Sequence, residues 1–299
     1  MARTSLDGRS VNGHGSAAGG PAGPASSGPA PAGTPPVPAA PIGGAEALAA
    51  ARDALRVALP EPGSRYDQDD EWCVVQRPDG AWTEFRFHDY DRIFDVPGLY
   101  EKIFYDVLGC DSPRFMVGLL REALDVTGVP AEALRVLDLG AGNGIMAEEL
   151  AAIGVGHAVG VDILSEAATA AERDRPGLYA DYEVADLTAL PAEQHAALAA
   201  HELNALTVVA ALGFGDIPPE AFGTAYDLVA DGGWVVLTIK DAFLTEGDRS
   251  GFAAMIRGGL DSGALEVVRR ERFQHRMATD SSPLVYEGIV ARKRGPLGR

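Results

Sequence analysis

Cysteine is scarce in this chain, lysine is sparse, and long apolar runs are absent. The two cysteines, Cys73 and Cys110, cannot build a disulfide framework. Neither stands in a Cys/His spacing of the kind that binds zinc, so no metal is expected. A reducing, cytoplasmic compartment follows as the expectation. No apolar stretch approaches the ~20 residues that span a bilayer, so no membrane partner is expected. The N-terminus lacks the apolar core of a secretory signal. Positive charge is outnumbered: 25 Lys and Arg stand against 43 Asp and Glu, for a net charge of −18. Such a surface repels phosphate backbones, which argues against a nucleic-acid partner.

Aromatic residues are missing altogether from residues 1–44, which instead hold ten Gly and eight Pro. That composition cannot bury enough apolar surface to offset its ordering entropy, so 1–44 is expected to be a disordered tail. From Ala45 the character changes. "AEALAAARDALRVALP" predicts a helix running to Pro60, with Leu48, Leu55 and Leu59 on one face. "EWCVVQRPDGAWTEFRFHDY" predicts a β-hairpin turning at Pro78-Asp79-Gly80. Residues 89–110 predict a loop and a helix rich in aromatics.

From Ser112 a regular alternation begins. "SPRFMVGLLREALDVTG" predicts an amphipathic helix with a Ser cap, an early Pro and a closing Gly. Strands "LRVLDLG", "AVGVDI", "ADYEVADL", "ALTVVAAL" and "GGWVVLTIK" then alternate with helices over 144–154, 165–173, 191–202 and 218–230. Alternation of this kind predicts a parallel sheet in an α/β fold. "ALEVVRRERFQHRM" and "PLVYEGIVARKR" close the chain as an antiparallel hairpin around a turn at Thr279–Pro283. The domain reading is a tail over 1–44, an N-terminal extension over 45–111 and an α/β domain over 112–299.

The chemistry concentrates in "VLDLGAGNGIMAEEL", Val136 to Leu150. Glycines at 140, 142 and 144 follow a short apolar strand, where open α/β sheets bind ligands. A phosphate-binding P-loop needs Gly-Lys-Ser/Thr, and no lysine is present. A dinucleotide loop needs G-x-G-x-x-G, and Ile145 stands where its third glycine should be. What remains is D-x-G-x-G-x-G, from Asp138 through Gly140 and Gly142 to Gly144. Two aspartates follow at strand ends. Asp162 closes "GVD", and Asp186 lies in "EVADL". A carboxylate at the second strand end can accept bonds from both hydroxyls of a ribose.

On these residues the chain resembles the class I S-adenosylmethionine (SAM)-dependent methyltransferases. The resemblance implies a Rossmann-like seven-stranded, mostly parallel sheet with helices on both faces and an antiparallel C-terminal strand. It implies SAM as cofactor and S-adenosylhomocysteine as product. It further implies that Asp138, Gly140, Ala141, Gly142 and Gly144 form the loop beside the amino-acid part of SAM. Asp162 would take the ribose, Asp186 and Leu187 the adenine edge, and Ile163 the adenine face.

Methyl transfer needs mainly proximity and orientation, so the superfamily has no fixed catalytic motif. Some relatives that methylate amino groups of nucleic acids or proteins carry Asn/Asp-Pro-Pro-Tyr/Phe after the fourth strand. Here Leu212-Gly213-Phe214-Gly215 stands there, with Asp216 next. The expectation is a small-molecule acceptor in bacterial secondary metabolism, covered by the aromatic N-terminal extension as a lid. His88, Tyr90, Asp241 and His275 are the candidate catalytic groups. The rivals are a methyltransferase for protein or peptide side chains and a protein that binds SAM without methylating. The oligomeric state is left open between monomer and homodimer.

Overall fold

A computed structural model of the protein describes residues 45–61, 66–77, 79–213 and 216–298. The tail expected over 1–44, Pro78 of the hairpin turn and Phe214-Gly215 lie outside the described residues. Helix α1 (Ala45–Ala54) leads into an antiparallel sheet of β1 (Arg56–Ala58), β2 (Trp72–Gln76) and β3 (Trp82–Arg86), in the order β1-β2-β3. The helix expected to reach Pro60 therefore stops at Ala54. Arg56, Val57 and Ala58 pair instead with Gln76, Val75 and Val74. An otherwise open strand edge and the β-branched Val57 outweigh local helix propensity there.

The aromatic segment forms α2 (Tyr90–Phe94) and α3 (Leu99–Glu101), and α3 continues as a π-helical turn over Lys102–Val107. Cys73, Val75 and Phe85 of the small sheet, with Phe87 just after it, pack with Leu99, Ile103, Phe104 and Leu108 of this segment as a core of their own.

Helix α4 (Ser112–Thr127) buries Met116, Val117, Leu119, Leu120, Ala123 and Leu124, the i, i+3, i+4 stripe of an amphipathic helix. It ends at Gly128 with φ +68°, which a residue with a Cβ adopts at a cost. Ser112 is not its cap. Asp111 holds that position, and the Ser112 hydroxyl lies 2.7 Å from Nδ1 of His275.

The remaining elements follow the expected alternation: β4 (Arg135–Leu139), α5 (Ile145–Ala152), β5 (His157–Asp162), α6 (Ser165–Asp174) and β6 (Asp181–Val184). Then come α7 (Ala192–Ala200), β7 (Ala205–Val208), α8 (Pro219–Leu228), β8 (Trp234–Lys240), α9 (Gly258–Ser262), β9 (Leu265–Met277) and β10 (Pro283–Lys293). The seven strands order as β6-β5-β4-β7-β8-β10-β9. Strands β4 to β8 run parallel, and β10 lies antiparallel to both β8 and β9. This is the Rossmann-like sheet with an antiparallel C-terminal strand that the sequence predicts.

Successive residues of each central strand enter opposite cores. Leu137, Val159 and Leu206 pack on the face of Phe222 and Tyr226, while Val136, Ala158 and Ala205 pack on the face of Leu120, Leu124 and Leu150. Chain order reverses at β4, flanked by β5 on one side and β7 on the other. Ligand crevices of open α/β sheets form at such a reversal, outside the strand carboxyl ends. No helix among the described residues is long and apolar enough to cross a membrane.

Candidate active site

The carboxyl ends of β4, β5 and β7 open into two adjoining cavities. The outer one, about 440 Å³, is lined by Gly140, Gly142, Asp162, Ile163, Asp186 and Leu187, among others. Its size falls within the range of ligand pockets. The inner one, about 70 Å³, is lined by Asp138, Gly140, Ala141, Gly142, His275 and the rings of the N-terminal extension. His88, Tyr90, Tyr100, Ala210 and Asp216 line both. The two therefore meet between the glycine loop and the extension.

The loop owes its shape to its glycines. Gly140, Gly142 and Gly144 have φ of +71°, +52° and +86°. A Cβ on Gly140 would lie 3.0 Å from both Ala211 and Ile217, and one on Gly142 would lie 3.2 Å from the Phe94 ring. Backbone amides of Gly140 and Ala141 donate to Val161 O at 2.9 and 3.2 Å, which ties the loop to the neighbouring strand. Gly144 lines neither cavity. It starts α5, packed under Arg175 and Tyr179.

Each aspartate has a distinct setting. Asp138 is buried; Thr207 Oγ1 and Tyr179 OH each donate to one of its oxygens at 2.6 Å. Burial, assisted by the nearby Asp162, pushes its carboxyl up to about 6 against those two hydrogen bonds. Asp162 accepts from Gly142 N and Leu164 N, each at 3.0 Å. Burial raises its carboxyl as well, and these amides oppose it. Asp186 stands exposed on the outer cavity. Thr188 donates to it through Oγ1 at 2.7 Å and N at 2.9 Å, holding it below the usual carboxylate range. Ile163 is 61% exposed on the same rim, while Leu187 is buried.

The catalytic candidates separate. His88 meets Tyr90 edge-on at 5.7 Å, and its Nδ1 lies 3.1 Å from both oxygens of Asp216. The Asp216 hydrogen bond raises the His88 pKa against the opposing effect of desolvation. Tyr90 is half-buried against Phe94, Tyr100 and Phe104, and desolvation pushes its phenol well above the ordinary value. His275 lines the inner cavity against Tyr286, 4.3 Å between ring centroids. Burial pushes it down to about 3, so it is neutral at physiological pH. Asp241 lies outside both cavities and forms an ion pair with Arg272 on β9.

Several residues at the site carry no sequence motif. Tyr182 OH donates to Gly142 O at 2.8 Å and props the loop from β6. Glu101 of α3 accepts from Asn143 Nδ2 at 2.7 Å and from Arg175 Nη1 at 2.8 Å, which fastens the extension to the glycine loop. Glu71 and Arg276 form a buried ion pair at 2.6 Å, and Thr279 N also donates to Glu71. That pair joins the small sheet to the β9–β10 hairpin. The only signal for Tyr179 and Tyr182 was their place in "LYADYEVADL"; Glu71 and Glu101 gave none. Ala210, at the cavity junction, has φ +59°, a backbone strain of the kind that collects at functional sites. Among the described residues, no group of His, Cys, Asp and Glu is placed to hold a metal ion.

Residues 111–279 match a family model described as a methyltransferase domain. No curated protein matches the chain. Among solved structures, it is similar to the N-methyltransferase NodS of Bradyrhizobium japonicum WM9 in complex with S-adenosylhomocysteine, at 17% identity and TM-score 0.46, over 70% of this chain and 98% of that one. It is also similar to magnesium protoporphyrin IX methyltransferase of Synechocystis PCC 6803 with bound SAM, at 16% identity and TM-score 0.41, over 61% and 79%. A third is the ribosomal protein L11 methylase of Lactobacillus delbrueckii subsp. bulgaricus, at 17% identity and TM-score 0.40, over 60% and 79%.

Proposed function

Since this chain belongs to the methyltransferase-domain family and is a class I SAM-dependent methyltransferase, we propose that it methylates a small molecule held between the glycine loop and the N-terminal extension. The observation that carries this is the pair of adjoining cavities, a large outer one at the strand ends and a small inner one walled by the extension. SAM, the cofactor of the family, supplies an electrophilic methyl group on a sulfonium.

The outer cavity fits that cofactor. Gly140 and Gly142 line that cavity without a side chain, so a ligand can approach the backbone. Asp162, whose oxygens keep further lone pairs, is the partner assigned to the ribose hydroxyls. Asp186 and Leu187 are assigned to the adenine edge, with the exposed Ile163 packing on its face. Asp138 and the Gly140-Ala141-Gly142 turn are assigned to the amino-acid part; Gly144 supports that turn from α5.

The inner cavity would take the reacting end of the acceptor, with residues 45–111 as lid and wall. Of the candidate bases, His88 has the strongest case: it lines both cavities and Asp216 raises its basicity. His275, held near 3, is a poor proton acceptor, and the Tyr90 phenol stays protonated. Asp241, outside the cavities, has a structural role in this reading. Buried free thiols at Cys73 and Cys110 suit a reducing, cytoplasmic setting.

Calorimetric titration with SAM tests the cofactor site, and absence of binding at about 1 mM refutes it. Methyl-labelled SAM in cell extract, separated by size, tests the acceptor. Label in the low-mass fraction is expected. Label confined to protein would establish the side-chain rival, and SAM binding without transfer to any acceptor the non-methylating one.

A further inference from the structure

The inner cavity is walled by rings and by charges that are already paired. Phe87, Tyr90, Tyr100, Phe104 and Tyr105 line it. Ring centroids lie 4.8 Å apart for Tyr100 and Phe104, 5.6 Å for Phe87 and Phe104, and 6.3 Å for Tyr100 and Tyr105. No described residue hydrogen-bonds the hydroxyls of Tyr90, Tyr100 or Tyr105. Burial raises all three phenols, so each stays neutral, with lone pairs to accept and a proton to donate. The three rings are half-buried, and three unpaired hydroxyls on one wall suit a ligand that brings polar hydrogens to them.

Charge narrows the choice further. Among the described lining residues the basic side chains with an acidic partner are Arg276 and His88, bonded to Glu71 at 2.6 Å and to Asp216 at 3.1 Å respectively. A carboxylate or phosphate entering here would compete with those carboxylates and meet the lone pairs of phenols. An ammonium or amine meets π faces, phenol oxygens and the carboxylate of Asp216.

We propose that the acceptor is an amine, whose nitrogen enters the phenol-lined inner cavity and gives up its proton to His88. This rests on the outer cavity being the SAM site. The bound ammonium first passes one proton to the His88 imidazole, which Asp216 holds from the other side. The freed nitrogen lone pair then forms a bond to the methyl carbon as the carbon–sulfur bond breaks. The electron pair of that bond stays on sulfur, which becomes a neutral thioether, and the positive charge moves to the methylated nitrogen. His88 returns its proton to solvent. The product remains a cation, so the same rings hold it until it leaves.

Three probes of equal heavy-atom count separate the possibilities: trimethylammonium, isopropanol and acetate. Each is titrated into protein saturated with S-adenosylhomocysteine at neutral pH and followed by saturation-transfer NMR. Trimethylammonium is expected to bind at least about tenfold tighter than isopropanol, within the range of a desolvated cation–π contact, and acetate not at all. Tyr105→Leu, at a ring that lines the inner cavity alone, should abolish that preference while S-adenosylhomocysteine still binds. Equal affinities, a preference for isopropanol or acetate, or no binding of trimethylammonium would overturn the proposal. The heat of the S-adenosylhomocysteine titration is read first. Its absence refutes the SAM-site assignment and takes the amine proposal with it, whereas binding of the cofactor product without cation preference refutes the amine alone.

Discussion

Asp138→Asn should stabilise the free protein while weakening its hold on SAM. The Asp138 carboxyl is buried and pushed up from 3.8 to about 6, chiefly by desolvation. A raised carboxyl pKa means that the folded state binds a proton that the unfolded state has released. Below the unfolded pKa this group costs nothing. As pH rises from there through the folded value, stability is lost, and above it the loss is constant. At 1.36 kcal/mol per pKa unit the full cost is about 3 kcal/mol at about pH 8, and about 1.6 kcal/mol at about pH 5. Asn carries no charge at either pH. Thr207 and Tyr179, as hydroxyls, can still bond it by turning one O–H around. The variant should therefore gain on the parent by about 1.4 kcal/mol more at pH 8 than at pH 5. Taking the difference removes every other titrating group, including His88. Urea unfolding of both proteins at the two pH values measures it, with equal m-values as the check on two-state behaviour. A variant that is less stable than the parent at pH 8, or whose difference does not change with pH, refutes the argument. The rise in melting temperature on adding SAM should meanwhile be smaller for the variant, because the lost charge faces the amino-acid end of the cofactor in the proposed pose.

The other predictions follow from single contacts. Asp162→Ala should weaken SAM binding by about 1–3 kcal/mol in calorimetry, the cost of removing an acceptor from buried hydroxyls; an unchanged affinity would move the ribose elsewhere. His88→Gln should lower kcat by about 10²–10⁴, a larger loss than any in SAM affinity. In the parent, kcat/KM should rise with pH through an apparent pKa above the ordinary 6.5 of histidine, because in the proposed reaction the neutral imidazole is the base; Asp216→Asn should move that limb to lower pH. Arg276→Met leaves the Glu71 carboxylate buried without its partner and should cost about 3–5 kcal/mol in denaturant unfolding. Adding Glu71→Gln to that variant should recover most of the loss, since the amide oxygen can still accept from Thr279 N.

What the sequence makes legible is whatever repeats locally. Apolar period and glycine punctuation locate β4 through β8 and the helices between them, because each is decided by neighbours within a turn or a strand. The glycine loop and the aspartates after β5 and β6 are legible for a related reason. The topology places successive strand ends side by side, so three short segments suffice to outline the outer cavity. The end of α1 is misread because Arg56–Ala58 is drawn into a sheet by a partner 16 or more residues away, Val74–Gln76. Ser112 is misread as a cap because a histidine 163 residues later competes for its hydroxyl.

The proposed acceptor side is built almost wholly from such distant contacts. His88 meets Asp216 across 128 residues, and Glu71 meets Arg276 across 205. Glu101 reaches Asn143 across 42. In the sequence Glu71, Glu101, Asp216 and Arg276 are ordinary charged residues in a chain with 43 acidic ones. Only the fold makes each one particular, by setting it against a distant partner, and it buries Glu71 against Arg276 and Glu101 against Asn143. Burial is also what gives these pairs their consequence. An exposed ion pair contributes about 0–1 kcal/mol, but breaking a buried one leaves a charge that nothing else can solvate. The extension is therefore fixed to the domain at Glu71 and Glu101 by contacts that tolerate no drift. Tyr90, Tyr100 and Tyr105 sit on the segment that Glu101 anchors, so the position of the phenol wall depends on residues that never touch the substrate. Glu101→Gln keeps an acceptor for Asn143 but gives up the charge opposite Arg175. If the anchoring argument is right, it should weaken trimethylammonium binding to the S-adenosylhomocysteine complex more than it weakens S-adenosylhomocysteine itself; equal losses in both would show that Glu101 supports the glycine loop alone.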